Sequence, residues 1–243
     1  YPQVEGLWSP GVREWTVEQK TALALEAESI ALAQPEIELV EESQYSDSEA
    51  RVAVASTEGV LAEGEQSFCL AYLSAHAARQ GDRQSGLGFT LARHPEALEP
   101  ARAGMEAADK ARVLLGATPC RTGRYTVVLI PEVAAAFLAA VAGALSADAV
   151  QKGRSVFSRR LGEKVGAGLV NLYDDGLAPD GLETAPFDGE GVPSAHTPLI
   201  EGGVLRSYLY DTYTARKAGP GFASTGNASR ASYRTLPGVG ASN

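Results

Sequence analysis

The sequence predicts an α+β protein, with an N-terminal antiparallel sheet on which helices pack, followed by a mainly antiparallel β domain. Three observations favour this class. Two segments in the first half have helical spacing and helix-capping residues. Between them run segments of alternating or β-branched character. From about residue 150 onward glycine becomes frequent, and short strand-like runs alternate with turn sequences.

The first predicted helix covers residues 16–33. Thr16 is a suitable N-cap, Gln19 occupies the capping-box position, and Leu23 with the alanines around it repeats at helical spacing. Pro35 ends the segment, because proline disrupts helical hydrogen bonding. We therefore expect one helix before the sheet begins.

An antiparallel meander and a second helix are predicted next. IELVEES, ARVAVAS and FCLAYLSAHAA read as strands separated by turn-rich stretches such as YSDS and EGVLAEGE, and SGLGFTLAR continues them. The second helix covers residues 95–115. Pro95 suits its first turn, Leu98 and Met105 lie on one face, and Gly116 suits its C-terminal end.

An alanine-rich helix leads into the second half of the chain. TGRYTVVLIP predicts a turn and a short buried strand, and PEVAAAFLAAVAGALSAD (131–148) predicts a helix with Pro131 and Glu132 in its first turn. Because apolar residues surround this helix on all sides, we expect it to be buried. The predicted domains are residues 1–122 and 123–243. Strand-like runs in the second domain are GLVNLY, TPLIE and GVLRSYLYDTYTA.

Composition and charge exclude several classes of protein. The chain has 243 residues, of which 44% are hydrophobic, so it can bury a core in one large or two ordinary domains. Its net charge is −9, and residues 1–65 hold 14 acidic against 3 basic side chains. Such an end repels a phosphate backbone, and basic residues elsewhere are scattered, so direct nucleic-acid binding is not expected. The acidic end is interpreted as a solvated face, with an acidic docking surface as the alternative.

Cysteine usage and hydropathy favour a cytoplasmic protein. Cys69 and Cys120 form neither a CxxC pair nor a disulfide framework, which fits a reducing compartment. The longest apolar run, residues 133–145, is shorter than the roughly 18 to 20 residues of a membrane-spanning helix, so no membrane association is expected. The chain starts at Tyr1 and shows no basic-then-apolar leader, which leaves a removed signal open.

Two pairs of acidic residues stand in glycine turns and are candidates for chemistry. Asp174 and Asp175 lie in DDG, and Asp188 and Glu190 lie in FDGEG. Paired carboxylates can act as acid and base or bind a hard cation, but aspartate is also favoured in turns for its local hydrogen bonds to the backbone. The residues alone favour the turn interpretation.

Two further groups of polar residues are candidates for a site. STGNASR (224–230) places small hydrogen-bonding residues beside Arg230 and can hold a peptide backbone or a carboxylate, although a solvated loop is favoured by the residues alone. The histidines form no metal motif. His76 is predicted in a strand, His94 at a helix entrance and His196 in a loop, and we expect each to be structural or exposed.

Five motifs in the second half resemble those of the TldD/PmbA family, which is also described as modulators of DNA gyrase and whose PmbA branch is called TldE. Their order and spacing match over about half of the chain, while residues 1–122 fit the later part of the family's N-terminal domain less sharply. The motifs are KGRSVFSRRLGEKV (152–165), YDDG (173–176), APFDGEGVPSAHTPLIEGGVL (185–205), YDTYTARKAG (210–219) and STGNASR.

The resemblance implies a cytoplasmic zinc peptidase system in which TldD and TldE subunits associate and degrade unfolded or modified peptides. TldD-type members carry a His-Glu-x-x-x-His motif on a buried helix, completed by a later cysteine. In such a motif the histidines bind zinc and the glutamate activates its water. The motif aligns here with residues 138–143, LAAVAG, whose side chains cannot coordinate a metal. The resemblance therefore implies a PmbA (TldE)-like chain without cofactor, zinc being expected only in a TldD-type partner.

By analogy with the family motifs, Asp188, Glu190, Asn227 and Arg230 are candidates for lining a peptide-binding surface, and the turn interpretation stays open for them. No catalytic or metal-binding residue is predicted. The expected partners are a TldD-type paralogue carrying HExxxH and a peptide substrate, and self-association is left open. Because family members typically start earlier and continue past the TGN segment, we expect a truncated C-terminal domain. The alternatives are a stand-alone regulatory or binding protein of the gyrase-modulator type, and an enzyme that uses the loop carboxylates without metal.

Overall fold

A computed structural model describes residues 1–179 and 181–243 of the chain. These residues separate into two compact units. The N-terminal unit comprises Gly6–Arg51 and Glu65–Arg124, and the C-terminal unit comprises Tyr1–Glu5, Val52–Gly64 and Tyr125–Asn243. Antiparallel sheets and helices occur in both, so the predicted α+β class is confirmed.

The N-terminal unit contains a three-stranded antiparallel sheet of β1 (Ile37–Ala55), β2 (Leu61–Arg79) and β3 (Asp82–Ala92), with β2 in the middle, as the predicted meander requires. The pairing of β2 with β3 runs from Cys69 opposite Ala92 to Arg79 opposite Asp82. In chain order the elements are α1 (Gly11–Glu14), α2 (Val17–Leu32), β1 (Ile37–Ala55), β2 (Leu61–Arg79), β3 (Asp82–Ala92), a 3₁₀ turn (Pro95–Ala97) and α3 (Pro100–Val113).

Two details of this unit differ from the prediction. IELVEES and ARVAVAS lie on one continuous strand. The polar side chains between them form hydrogen bonds with other side chains and not with the local backbone, because Tyr45 donates to Asp47 at 3.0 Å and Lys20 of α2 pairs with Asp47. The second helix is also interrupted. Pro100 disfavours helical backbone at the preceding Glu99, which has φ −114° and ψ 79°, so α3 begins only after it.

Small residues let the helices approach this sheet closely. Leu73, Ala75 and Ala77 of β2 are completely buried. On β3, a Cβ added to Gly88 would lie 2.0 Å from the carbonyl oxygen of Ala103 in α3. The sheet and α3 therefore pack backbone against backbone, which only glycine permits at these strand positions.

The capping box of α2 is present and supplies a prediction. Thr16 Oγ1 accepts a hydrogen bond from the backbone N–H of Gln19 at 3.3 Å, and the Gln19 side chain accepts from the Thr16 N–H at 2.9 Å. Thr16→Ala is expected to lower the free energy of unfolding by about 1 kcal/mol, because the backbone N–H of Gln19 loses its side-chain acceptor. Urea denaturation followed by tryptophan fluorescence measures this. Thr16→Ser should retain most of the stability, and equal losses in both variants would contradict the capping role.

The C-terminal unit contains a three-stranded antiparallel sheet and a separate two-stranded antiparallel sheet. Leu145, Leu199, Leu205 and Leu209 form the centre of its core, and Tyr210 packs with them. In chain order the elements are α4 (Pro131–Ala144), α5 (Ala147–Gln151), β4 (Leu172–Asp175), β5 (His196–Glu201), β6 (Val204–Leu205), α6 (Thr212–Ala218), β7 (Ala228–Ser229) and β8 (Gly238–Val239).

Two local predictions in this unit were wrong. The run GVLRSYLYDTYTA (203–215) was predicted to be strand-like, yet its residues from Thr212 onward form the start of α6. Asp211 Oδ1 accepts from the N–H of Thr214 at 2.7 Å, and the Thr214 hydroxyl accepts from the Asp211 N–H at 3.1 Å, so a capping box overrides the weak strand preference. His196 was predicted in a loop but begins β5.

The predicted burial of the alanine-rich helix is also wrong. No residue of α4 is buried, and every residue from 121 to 130, including the predicted buried strand, is exposed. Only the C-terminal end of α4 reaches the core, where Val141 packs beside Leu145. Apolar character on all sides indicates a preference for burial but does not say which molecule supplies the covering surface. No helix among the described residues is both long and apolar enough to cross a bilayer.

Candidate functional site

The FDGEG turn is built around the carboxylate of Asp188. Its Oδ1 accepts from the backbone N–H groups of Glu190 at 2.9 Å and Val192 at 3.0 Å, and its Oδ2 accepts from the N–H of Ala228 in β7 at 2.9 Å. Gly189 adds a backbone bond to the carbonyl of Ala228 at 2.7 Å. Asp188 therefore stabilises its own turn and connects it to the start of β7.

The tip of the β1-β2 hairpin and Tyr1 cover the other side of this turn. The Tyr1 hydroxyl donates to the carbonyl of Gly191 at 2.8 Å, and its ring meets Phe187 edge to face with centroids 5.5 Å apart. Gly191 has φ +78°, and a Cβ there would lie 2.5 Å from Val60. Glycine at 191 is therefore required both by its backbone conformation and by the close approach of the hairpin.

Glu190 caps the start of α6. Its Oε2 accepts from the N–H of Thr212, the first residue of that helix, at 2.8 Å. A carboxylate at a helix N-terminus is stabilised by the positive end of the helix dipole. In the part of the chain that the structure describes, the second carboxylate oxygen of Glu190 has no hydrogen-bond partner, so it is open to a ligand.

Asn227 belongs to a buried hydrogen-bond network. Its Nδ2 donates to Asp174 Oδ2 at 2.7 Å, and its Oδ1 accepts from the Thr225 hydroxyl at 2.7 Å. Asp174 also accepts from the N–H and the hydroxyl of Ser242, both at 2.6 Å. Both Asp174 and Asn227 are buried, so Asn227 fixes the interior of the unit and does not face solvent.

Arg230 is exposed and holds two loops together. Its Nε donates to the carbonyl of Gly189 at 2.7 Å, and its Nη1 donates to the carbonyl of Thr235 at 2.7 Å. Among the described atoms, Nη2 takes no part in a hydrogen bond, so one face of the guanidinium remains available to an anionic group.

The four predicted site residues therefore lie in one connected region, but they differ in what they can do. Asp188 and Asn227 bond to the protein with both polar ends, as the turn interpretation expects. Glu190 Oε1 and Arg230 Nη2 have no hydrogen-bond partner among the described atoms. The region offers one carboxylate oxygen and one guanidinium edge, which suits binding of a polar chain better than acid–base chemistry.

The DDG pair is divided between the two faces of β4. Asp174 points into the network described above, whereas Asp175 accepts from the N–H of Leu177 at 2.9 Å and contacts His196 Nδ1 at 3.1 Å. The His196 ring lies 4.6 Å from the ring of Tyr173. Strand alternation explains the split, since neighbouring side chains point to opposite faces. Adjacent aspartates in a glycine turn gave no indication of which one is buried.

Asp175 and Asp188 are expected to titrate on opposite sides of the usual aspartate range. Burial raises the pKa of Asp188 despite its three N–H donors, whereas the Leu177 N–H, with a smaller contribution from His196, lowers the pKa of Asp175. Carboxyl ¹³C NMR of the folded chain measures both values, with Asp188→Asn and Asp175→Asn to assign the signals. Coincident midpoints would contradict the prediction.

These two shifts act on stability with opposite signs. Asp188 has a folded pKa above its unfolded one, so protonation favours the folded state as the pH falls from the folded value to the unfolded value. Asp175 has a folded pKa below its unfolded one, so its stabilisation is present above the unfolded value and is lost as the pH falls through the folded value.

Residues 138–143 of α4, with which the motif resemblance aligns the zinc motif, carry only Leu, Ala, Val and Gly, none of which has a side-chain donor atom for a metal. Among the described residues, no cluster of three or more His, Cys, Asp or Glu side chains could hold an ion.

Family models match almost the whole chain. Residues 10–115 match the PmbA/TldA metallopeptidase central domain, and residues 122–243 match the C-terminal domain of the same family. The chain belongs to the PmbA/TldD metallopeptidase family. The motifs that surround Asp188 and Asn227 thus lie in the family's C-terminal domain.

One curated relative and two solved structures show how similar other family members are. A metalloprotease of Methanocaldococcus jannaschii is 34% identical over 187 residues, which are 76% of this chain and 42% of the relative. A candidate modulator of a DNA gyrase from Thermotoga maritima is 28% identical, with a TM-score of 0.81 over 97% of this chain and 54% of that one. TldE from Thermococcus kodakarensis, at 20% identity, shares the fold, with a TM-score of 0.82 over 99% of this chain and 55% of that one. The chain spans less than half the length of the curated relative.

Proposed function

We propose that this family member is a non-catalytic, PmbA (TldE)-type subunit of a cytoplasmic zinc metallopeptidase that acts on unfolded or modified peptides. Its partner in this proposal is a TldD-type paralogue that carries HExxxH and the zinc. The observation that carries the proposal is the family membership combined with LAAVAG at residues 138–143, where the motif resemblance places the zinc ligands.

The geometry supports a binding role for the loop region. Glu190 and Arg230 each hold one polar group in place through bonds to the protein and keep another for a ligand. Side chains anchored in this way lose little entropy when they bind, so they are suited to hold a peptide for a partner's active site. Arg230 would contact a peptide carboxylate or carbonyl, and Glu190 would contact a peptide N–H.

Affinity isolation from the native cell tests the subunit role. The tagged chain is expected to recover a paralogue with HExxxH, and metal analysis should find zinc in the complex but no stoichiometric zinc in the isolated chain. One tightly bound zinc per isolated chain, or peptide cleavage by the isolated chain, would overturn the proposal.

A binding assay tests the loop region separately. Arg230→Gln should weaken binding of a fluorescent unstructured peptide about tenfold, the effect of losing one charge-assisted hydrogen bond of roughly 1.4 kcal/mol. The matched control is Arg206→Gln, since Arg206 is an exposed arginine that pairs with Glu201 at 3.1 Å in the same unit. Thermal denaturation of both variants separates lost binding from lost folding. If the Arg230→Gln and Arg206→Gln variants bind the peptide with equal affinity, Arg230 does not contact the peptide.

A regulatory protein is the second candidate. It is favoured by the 28% identity to a structure described as a candidate modulator of a DNA gyrase. The same affinity isolation distinguishes the two, because recovery of gyrase without an HExxxH paralogue would support regulation.

A further inference from the structure

A basic loop spans residues 152–164 of the C-terminal unit. It holds five basic side chains against one acidic side chain, whereas the whole chain has a net charge of −9. Two of these cations pair with neighbouring carboxylates, Lys152 with Asp148 at 2.7 Å and Arg160 with Glu163 at 3.1 Å. The three that are exposed and have no side-chain partner among the described residues are Arg154, Arg159 and Lys164.

Side chains between these cations hold the basic loop in place. Phe157 packs against the core of the unit, and its carbonyl accepts from the Tyr208 hydroxyl at 2.7 Å. The Ser158 hydroxyl donates to a carbonyl of α5 at 3.3 Å, and Arg160 Nη2 donates to the carbonyl of Lys164 at 3.0 Å. The exposed cations therefore project from a fixed backbone, which reduces the entropy lost when they bind a ligand.

The backbone of Arg159 is in the left-handed region, with φ +63°. Residues with a Cβ carry a conformational free-energy cost in this region, which glycine avoids and asparagine tolerates. Among the described residues, no side-chain contact of Arg159 offsets this cost. Because such outliers cluster at ligand clamps and active sites, the position indicates that a group outside this chain contacts the guanidinium.

We propose that the basic loop binds an acidic segment of another polypeptide. The guanidinium of Arg159 binds a carboxylate of that segment through two parallel hydrogen bonds, which is the geometry that arginine favours. Between the cations lie Val156, 76% exposed, and Leu161, 47% exposed. These two side chains contact apolar residues of the same segment, so the partner combines aspartate or glutamate with aliphatic residues.

The side chains of the basic loop favour a polypeptide over a nucleic acid. Its exposed apolar residues, Val156 and Leu161, are aliphatic, whereas proteins that bind single strands stack the bases on aromatic side chains. A long polyanion is also repelled by the net charge of −9. A short acidic segment responds mainly to charges within about 8 Å, the screening length at physiological salt. The inference does not rest on the proposed function.

Fluorescence anisotropy with the purified 243-residue chain tests the proposal. The probe is a short labelled peptide of glutamate and leucine, and the same peptide with glutamine in place of glutamate measures the dependence on charge. The acidic peptide is expected to bind more tightly than the glutamine peptide. Added salt is expected to weaken its binding, because salt screens exposed charges.

Substitutions at Arg159 test the contact itself. Arg159→Asn should weaken binding of the acidic peptide about tenfold, the effect of losing one charge-assisted pair. Its melting temperature should be unchanged, because asparagine tolerates the left-handed backbone. Arg159→Lys keeps the charge without the paired hydrogen bonds and should bind with intermediate affinity. Arg206→Gln is the matched control and should bind as the parent does, since Arg206 already pairs with Glu201 at 3.1 Å.

Carbodiimide cross-linking locates the bound peptide. The reagent forms an amide bond between a glutamate carboxylate of the peptide and a lysine amine that it contacts. Mass spectrometry should find the peptide attached to Lys164 in the parent chain, and the yield should fall in Arg159→Asn.

Three results would each overturn the proposal. The first is that the acidic peptide does not bind, or binds no more tightly than the glutamine peptide. The second is that Arg159→Asn binds the acidic peptide as tightly as the parent chain does. The third is that a single-stranded oligonucleotide binds more tightly than the acidic peptide and loses affinity in Arg159→Asn, which would assign the basic loop to nucleic acid.

Discussion

Gly88→Ala is expected to destabilise the N-terminal unit by on the order of 3 kcal/mol, at the upper end of the usual cost of overpacking. The added methyl group would lie 2.0 Å from the Ala103 carbonyl oxygen and 2.7 Å from the Ala107 nitrogen, both in the backbone of α3. Backbone atoms cannot move aside as a side chain can, so α3 must shift away from β3. That shift would loosen the buried layer around Leu73.

Tryptophan fluorescence measures this loss directly, because Trp8 and Trp15 both lie in the N-terminal unit. Urea denaturation should show an earlier transition for Gly88→Ala. Ser85→Ala is the matched control, since Ser85 is an exposed position on the same strand, and it should stay within about 0.5 kcal/mol of the parent. A Gly88 variant as stable as the control would show that α3 does not pack as closely as described.

Asp174→Ala is expected to cost the C-terminal unit about 3 kcal/mol or more. The substitution removes three short hydrogen bonds, from Asn227 and from the N–H and hydroxyl of Ser242. Each hydrogen bond to a charged group is worth about 1.5–3 kcal/mol, and the loss leaves buried donors without an acceptor. The substitution also removes the free-energy cost of burying a carboxylate, which makes the net destabilisation smaller than the sum of the lost hydrogen bonds.

Hydrogen exchange of the C-terminal unit measures the effect, with faster exchange expected in β4 and β7. Asp175→Ala is the matched control, because it changes the adjacent residue of the same type, which faces His196 at the surface. That variant should cost about 1 kcal/mol or less. Equal hydrogen-exchange rates in the Asp174→Ala and Asp175→Ala variants would show that Asp174 does not stabilise the network.

Elements with strong local signals could be predicted from the sequence. The helix after Thr16 was recognised because its cap and spacing act within a few residues, and the same capping box is found in the structure. The meander followed from strand patterns separated by turns. The helix at Thr212–Ala218 was missed because its capping box was outweighed by a β-branched pattern.

The motif resemblance made Asp188, Glu190, Asn227 and Arg230 candidate site residues, and the structure brings these four residues into one region. Whether such a residue bonds to its own backbone or keeps a group for a ligand depends on atoms distant in sequence. Asp174, for example, meets Ser242 across 68 positions of the chain.

The sequence by itself determined the family, the α+β class and the absence of metal-binding side chains at 138–143, because these depend on residue identity and short-range order. Only the tertiary structure decided that Asp174 is buried while Asp175 is not, and that α4 is uncovered in this chain. Burial is a property of the assembled surface. Apolar residues show that a surface prefers to be covered, but three-dimensional contacts determine whether it is.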